Sequence, residues 1–144
     1  MTSASDKIER TLRIAARPKI VFSFFTEPAK MLRWLGTQCW LDPRPGGLYR
    51  VELNPNHIQR GQYVEVTPYT RIVFTWGWEG ENTPVPPGSS TVKITLVPDG
   101  SDTILYLEHS GLPLSGHSTA EGWDRNLEKL VRVAEGISEQ GFEV

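Results

Sequence analysis

Three histidines (His57, His109 and His117), one cysteine (Cys39) and the carboxylates Glu65 and Glu79 are the side chains through which this chain could ligate a metal or move a proton. No histidine stands at ligand spacing from another or from Cys39, so no metal site is expected. The sequence also lacks a Gly-x-Ser-x-Gly elbow, a Walker loop and a Gly-x-Gly-x-x-Gly ahead of a helix, which leaves no nucleophile or nucleotide motif and no expected cofactor. Gly46-Gly47 reads as a turn, because no helix N-terminus follows it to hold a phosphate. Glu65 and Glu79 lack a partner carboxylate at readable spacing and read as solvated. His109 is the titratable residue of most interest, since strand parity puts it on the face of Leu105 and Leu107. There it could hydrogen-bond a ligand carbonyl or act as acid or base, or it could be a buried histidine satisfied at the strand end beside Ser110. No catalytic residue is assigned.

Aromatic residues are the other chemical resource: five Trp, five Phe and four Tyr in 144 residues. Trp76, Trp78 and Trp123 serve either as ordinary core or as a wall of an apolar pocket together with Phe25, Trp34 and Tyr49. Indole and phenol groups bring donors that must be satisfied when buried, and a ligand or water in a cavity is one way to do so. The expected ligand-binding set is therefore Phe25, Trp34, Tyr49, Trp76, Trp78, His109, Trp123 and Leu127. It would take a small hydrophobic or aromatic molecule.

The elements that must hold these residues are legible from periodicity. Residues 118–135 form an amphipathic helix of roughly 27 Å at ~1.5 Å per residue. Its stripe is Trp123, Leu127, Leu130, Ala134 and Ile137, and its wet side is Asp124, Arg125, Glu128, Lys129 and Arg132. Ser118 with Glu121 has the form of a capping box, and Gly136 is the expected stop. Upstream, residues 8–15 read as a strand, Pro18 opens a first short helix, and residues 29–35 form a second closed by Gly36. Strands are then expected over 38–41, 48–53, 57–67, 71–79, 91–97 and 103–109, with an exposed proline-rich loop over 81–89. Ile72, Phe74, Trp76 and Trp78 share the most aromatic strand face. Every connection after Gly36 is short, which requires antiparallel pairing. The fold class is α+β: one bent antiparallel sheet of six to seven strands around the long C-terminal helix, with two short helices after the first strand.

Length and charge bound the rest. The chain spans one domain, 1–144, with a core over about 8–136. A formal charge of −2 from 15 basic and 17 acidic residues creates no field that gathers nucleic acid or anionic lipid. The N-terminus has no apolar h-region and no run is long enough to span a bilayer, so neither a signal peptide nor a membrane span is expected. A single cysteine suits the reducing cytoplasm.

Six stretches carry a resemblance: Ile14-Ala15-Ala16-Arg17-Pro18, Leu41-Asp42-Pro43-Arg44-Pro45-Gly46-Gly47, Gly61-x-Tyr63-x-Glu65-Val66-x-Pro68, Arg71-Ile72-Val73-Phe74-Thr75-Trp76, Leu107-x-His109-Ser110-Gly111-Leu112-Pro113 and Gly122-Trp123-x-x-x-Leu127-x-x-Leu130. In register, they make the chain similar to the START/Bet v 1-like helix-grip (SRPBCC) superfamily. Within it the chain resembles the bacterial single-domain proteins related to the C-terminal domain of the Hsp90 ATPase activator. Family members often carry a histidine where this chain has Thr119. The resemblance implies a cavity between sheet and long helix, and functions ranging over carriers, cyclases and co-chaperones. The resulting expectation is binding of a small, largely hydrophobic ligand without covalent chemistry, by a monomer or homodimer. Two alternatives stand beside it. One is a cofactor-independent cyclase or hydratase with His109 and Tyr49 or Tyr63 as proton donors; the other is a module with a chaperone or other protein as partner, for which this length leaves no separate N-terminal activator domain.

Overall fold

The computed structural model describes residues 5–113 and 117–139. The chain runs β1 (Ser5–Ile14), α1 (Pro18–Thr26), α2 (Pro28–Met31), β2 (Gln38–Leu41), β3 (Leu48–Asn54), β4 (His57–Thr67), β5 (Arg71–Trp76), β6 (Ser90–Asp99), β7 (Asp102–Pro113) and α3 (His117–Glu139). Seven strands form one sheet in the order β1-β7-β6-β5-β4-β3-β2, all neighbours antiparallel. Strands β2 to β7 are a meander; short turns demand antiparallel pairing at every step except β5 to β6, where the connection runs over residues 77–89. Strand β1 closes the far side against β7, with Ile8 opposite His109 and Leu12 opposite Leu105. This is the α+β architecture that the periodicity predicts, and the helix-grip fold that the resemblance implies.

The sheet bends where β4 changes partners. Its first half pairs with β3 and its second half with β5, and the register slips between Tyr63 and Glu65. Gly61 sits at that crossing with its backbone against Thr75, so close that a Cβ would lie 1.8 Å from the Thr75 carbonyl oxygen. Only glycine tolerates such an approach.

Alternation along the strands sends Tyr49 and Val51, Ile72, Phe74 and Trp76, Val92, Ile94 and Leu96, and Leu105, Leu107 and His109 into the interior, each buried. Helix α3 answers with the predicted stripe, for Trp123, Leu127, Leu130, Ala134 and Ile137 are all buried. Two polar ties from α3, one to β1 and one to the residue after it, set the helix on the sheet. Arg10 reaches Asp124 through Nε (2.6 Å) and Nη2 (3.2 Å), and the Ala15 N–H donates to Glu135 Oε2 at 2.9 Å.

Several boundaries differ from expectation. Helix α3 runs through Gly136 to Glu139, because burial of Ala134 and Ile137 outweighs the ~1 kcal/mol helix penalty of one glycine. The side chain of Ser118, half of the expected capping box, lies outside the described residues. Helix α2 ends at Met31 and the chain continues to Leu35 as turns, although Trp34 and Leu35 remain buried. Strand β5 stops at Trp76, since Gly77 is pressed by the following loop: a Cβ there would meet the Pro86 carbonyl oxygen at 2.0 Å. That loop is not fully exposed as expected. Val85 is buried, and its carbonyl accepts the Trp78 N–H at 2.7 Å.

Candidate functional site

A cavity of about 380 Å³ lies between the sheet and the N-terminal half of α3, near the low end of the ~300–1,000 Å³ usual for small-molecule sites. Its apolar walls are Leu35, Leu53, Trp76, Trp78 and Trp123, and its polar lining includes His57, Gln59, Thr119, Arg125 and Asn126. Residue 76 is brought there by the inward parity of β5, and Trp78 by an isolated bridge to Gln59 that continues the face beyond the strand end. The two indoles meet edge to face with centroids 5.1 Å apart, and the His57 ring stands edge-on to Trp78 at 6.1 Å. Trp123 enters from α3 as the first residue of the helix stripe.

Behind this wall a chain of hydrogen bonds fixes the protonation of His109. The Trp123 indole N–H donates to His109 Nδ1 at 2.9 Å, so that nitrogen is the acceptor and the ring proton sits on Nε2. Nε2 lies 2.9 Å from Ser90 Oγ, which donates in turn to the Trp76 carbonyl at 2.7 Å. Every group in the chain is satisfied only by a neutral imidazole. Burial, with no carboxylate alongside, accordingly pushes the His109 pKa down from 6.5 to about 4.

A second polar element is Gln59, on β4 and only 6% exposed. The buried Tyr49 hydroxyl donates to Gln59 Oε1 at 3.1 Å. Among the described residues the phenol has no other acceptor, so its proton orients the amide and leaves the Gln59 NH₂ group without a protein partner. The NH₂ group belongs to a residue that lines the cavity. Burial raises the Tyr49 pKa well above its ordinary value and that of Tyr63 also. The Tyr63 hydroxyl is spent on the Phe25 carbonyl at 2.9 Å.

Residues 15–135 match the family described as Activator of Hsp90 ATPase homolog 1-like protein. The chain belongs to this family. An AHSA1-like protein of Rhizobium etli, solved in solution by NMR, is 42% identical over 94% of this chain and 88% of that one, with a TM-score of 0.71. CalU16 from Micromonospora echinospora (24% identity, 94% and 80% coverage, TM-score 0.72) and an HSP90 activator from Plasmodium falciparum (22%, 90% and 96%, 0.74) share the fold. No curated protein matches the chain.

The expected ligand-binding residues fall into three groups within this AHSA1-like fold. Trp76, Trp78 and Trp123 line the cavity together. Phe25, Trp34 and Tyr49 are packed in the core beside it: Phe25 and Trp34 pair edge to face at 5.3 Å, the Trp34 N–H bonds the Phe24 carbonyl at 3.0 Å, and Tyr49 stacks on Phe74 at 4.1 Å. His109 stands behind the wall, and Leu127 borders a separate shallow groove with Leu12 and Val131. Sequence reasoning passed over Leu35, Leu53, His57, Gln59, Thr119, Gly122, Arg125 and Asn126. For Gln59 the signal was present, since it shares strand parity with Gly61 and Tyr63. Glu79, expected to be solvated, is instead held by Arg50 Nε (2.7 Å) and Arg60 Nη1 (3.1 Å), which lower its pKa. Among the described residues no three His, Cys, Asp or Glu converge as a metal site, and no helix is long and apolar enough to cross a membrane.

Proposed function

We propose that this AHSA1-like protein binds a small, largely apolar molecule in the cavity under α3 and performs no covalent chemistry on it. The observation that carries this reading is the cavity itself: about 380 Å³ walled by three tryptophans, from β5, the segment after it and α3, with the buried residue Gln59 in its lining. A core that only had to fill the gap between sheet and helix would leave neither the volume nor the orphan donor, because unfilled apolar space and unsatisfied buried amides both cost stability. Acid–base catalysis finds less support, since the proton donors it would use are engaged elsewhere. Both nitrogens of His109 are bonded, and the hydroxyls of Tyr49 and Tyr63 are bonded in the core. Binding at micromolar strength, roughly −8 kcal/mol, is the expected scale.

The test uses Gly122, which lines the cavity from the helix and whose added Cβ would meet nothing nearer than an Arg125 nitrogen at 4.0 Å. Gly122→Leu fills the cavity without disturbing the core, and leucine also favours the helix by up to ~1 kcal/mol over glycine. Flavonoids, short fatty acids and substituted benzenes are screened by tryptophan quenching and thermal shift. Hits should quench and stabilise the wild-type protein by linkage and be lost in Gly122→Leu. Hits that bind the leucine variant equally well, or a screen with none, would refute the reading.

A further inference from the structure

The polar groups of the cavity are unequal in kind, and the inequality says what chemistry its occupant carries. The wall is rich in donors. The Gln59 carbonyl accepts from Tyr49, which orients the amide and leaves its NH₂ group unpaired among the described residues, and the indole N–H groups of Trp76 and Trp78, donors only, have no acceptor among them either. At the rim the charge has one sign: Arg125 lines the cavity and no Asp or Glu does. Its guanidinium leans back over Gly122, with Nη2 4.0 Å from where a Cβ would stand, the direction in which helical side chains point. Among the described residues no carboxylate pairs with it. The His57 ring is tied through Nδ1 to Asn54 Oδ1 at 3.0 Å and stands at the rim with the hydroxyl of Thr119 and the amide of Asn126.

Resting on the binding reading above, we propose that the ligand is a compact organic anion with three parts. An apolar ring or short acyl body lies against Trp76, Trp78 and Trp123. A neutral carbonyl-type oxygen on that body accepts from the Gln59 NH₂ group, and a carboxylate or similar oxyanion stays at the rim with Arg125. The division follows from desolvation. A carboxylate beside Gln59 would be buried with no cation to offset its lost hydration, whereas a neutral oxygen there gains a donor that otherwise goes unsatisfied. At the rim water still solvates the anion, and a guanidinium matches a carboxylate in shape and charge. The volume favours one small ring system over a sterol or a long acyl chain.

Four probes separate these parts: the aryl keto acid benzoylpropionate, its methyl ester, phenylbutyrate, which keeps the acid and lacks the ketone, and butylbenzene, which has neither. Calorimetry and tryptophan quenching are run on the wild-type protein, Arg125→Gln, Gln59→Met and Gly122→Leu. The keto acid should bind most tightly. Loss of the charge should weaken it about fivefold, an effect that salt screens and that Arg125→Gln abolishes. Loss of the ketone should weaken it about five- to tenfold, and Gln59→Met should erase that preference. Because each effect is a ratio of two ligands on one protein, a variant of lowered stability still reports it. Should Gln59→Met fail to fold, the wild-type ratios decide alone. If butylbenzene binds as well as the keto acid and Gly122→Leu blocks both, the anion proposal is wrong and the binding reading stands. If none of the four binds the wild-type protein, both fall.

Discussion

Acidification should loosen this fold through one buried imidazole, and the size of the effect follows from the structure. His109 is fully buried and neutral, with its pKa pushed from 6.5 down to about 4. In the unfolded chain the same ring takes a proton near its ordinary value. Between pH 6.5 and pH 4, then, the unfolded state binds a proton that the folded state refuses, and stability falls with pH across that window. About two and a half pH units at ~1.36 kcal/mol each amount to about 3 kcal/mol, fully present above the upper limit and fully lost below the lower. Its packing contacts offer no countercharge: Ser90 and Trp123 bond the ring and the Trp76 ring stacks edge-on at 4.7 Å. The comparison protein is His109→Gln, whose amide can still accept from Trp123 and donate to Ser90 but does not titrate. Urea unfolding followed by circular dichroism from pH 8 to pH 4 would measure both. At neutral pH the variant should be the weaker by about 1 to 2 kcal/mol, from imperfect fit. Towards the acid end the gap should close and reverse by about 3 kcal/mol in total. Carboxylates such as Glu79 and Asp124, held below their usual range by arginines, also withdraw stability in acid, but equally in both proteins. A gap between the two proteins that stays constant to about half a kcal/mol across the window would refute the neutral, doubly bonded His109.

Trp123→Ala removes a buried indole and the donor to His109 together, and should cost about 3 to 5 kcal/mol in chemical denaturation; a loss below about 1 kcal/mol would put the helix stripe on the wrong side. Gly61→Ala places a Cβ 1.8 Å from the Thr75 carbonyl oxygen, so the strand crossing must spread. The melting temperature should drop by an amount equivalent to more than about 2 kcal/mol, and an unchanged value would show that the bend of β4 does not need glycine.

What could be read along the chain was whatever a local period carries. The helical stripe from Trp123 to Ile137 and the strand parity of Ile72, Phe74 and Trp76 are consequences of repeats of 3.6 and 2 residues, so the faces they bury follow directly. Short turns then required antiparallel pairing, except across residues 77–89, where the structure itself decides it. The cavity was legible only in part, because inward-pointing is a property of one element while lining a cavity depends on who arrives from the others. Tyr49 and Trp34 point inward as expected, yet Phe74 and Phe25 cover them and their polar atoms find Gln59 and Phe24. His109 also points inward, but whether it titrates was decided by Trp123 and Ser90, respectively 14 and 19 residues away. Gln59 carried its parity openly and still looked like an ordinary strand amide until Tyr49 claimed its oxygen. Arg125, placed by its period on the wet side of α3, reaches the cavity because Gly122 lacks the side chain that would stand in its way. Periodicity fixes the direction of a side chain. Which hydrogen bonds are already taken when it gets there is settled only by packing the elements together, and that settles whether its polar atoms are free for a ligand.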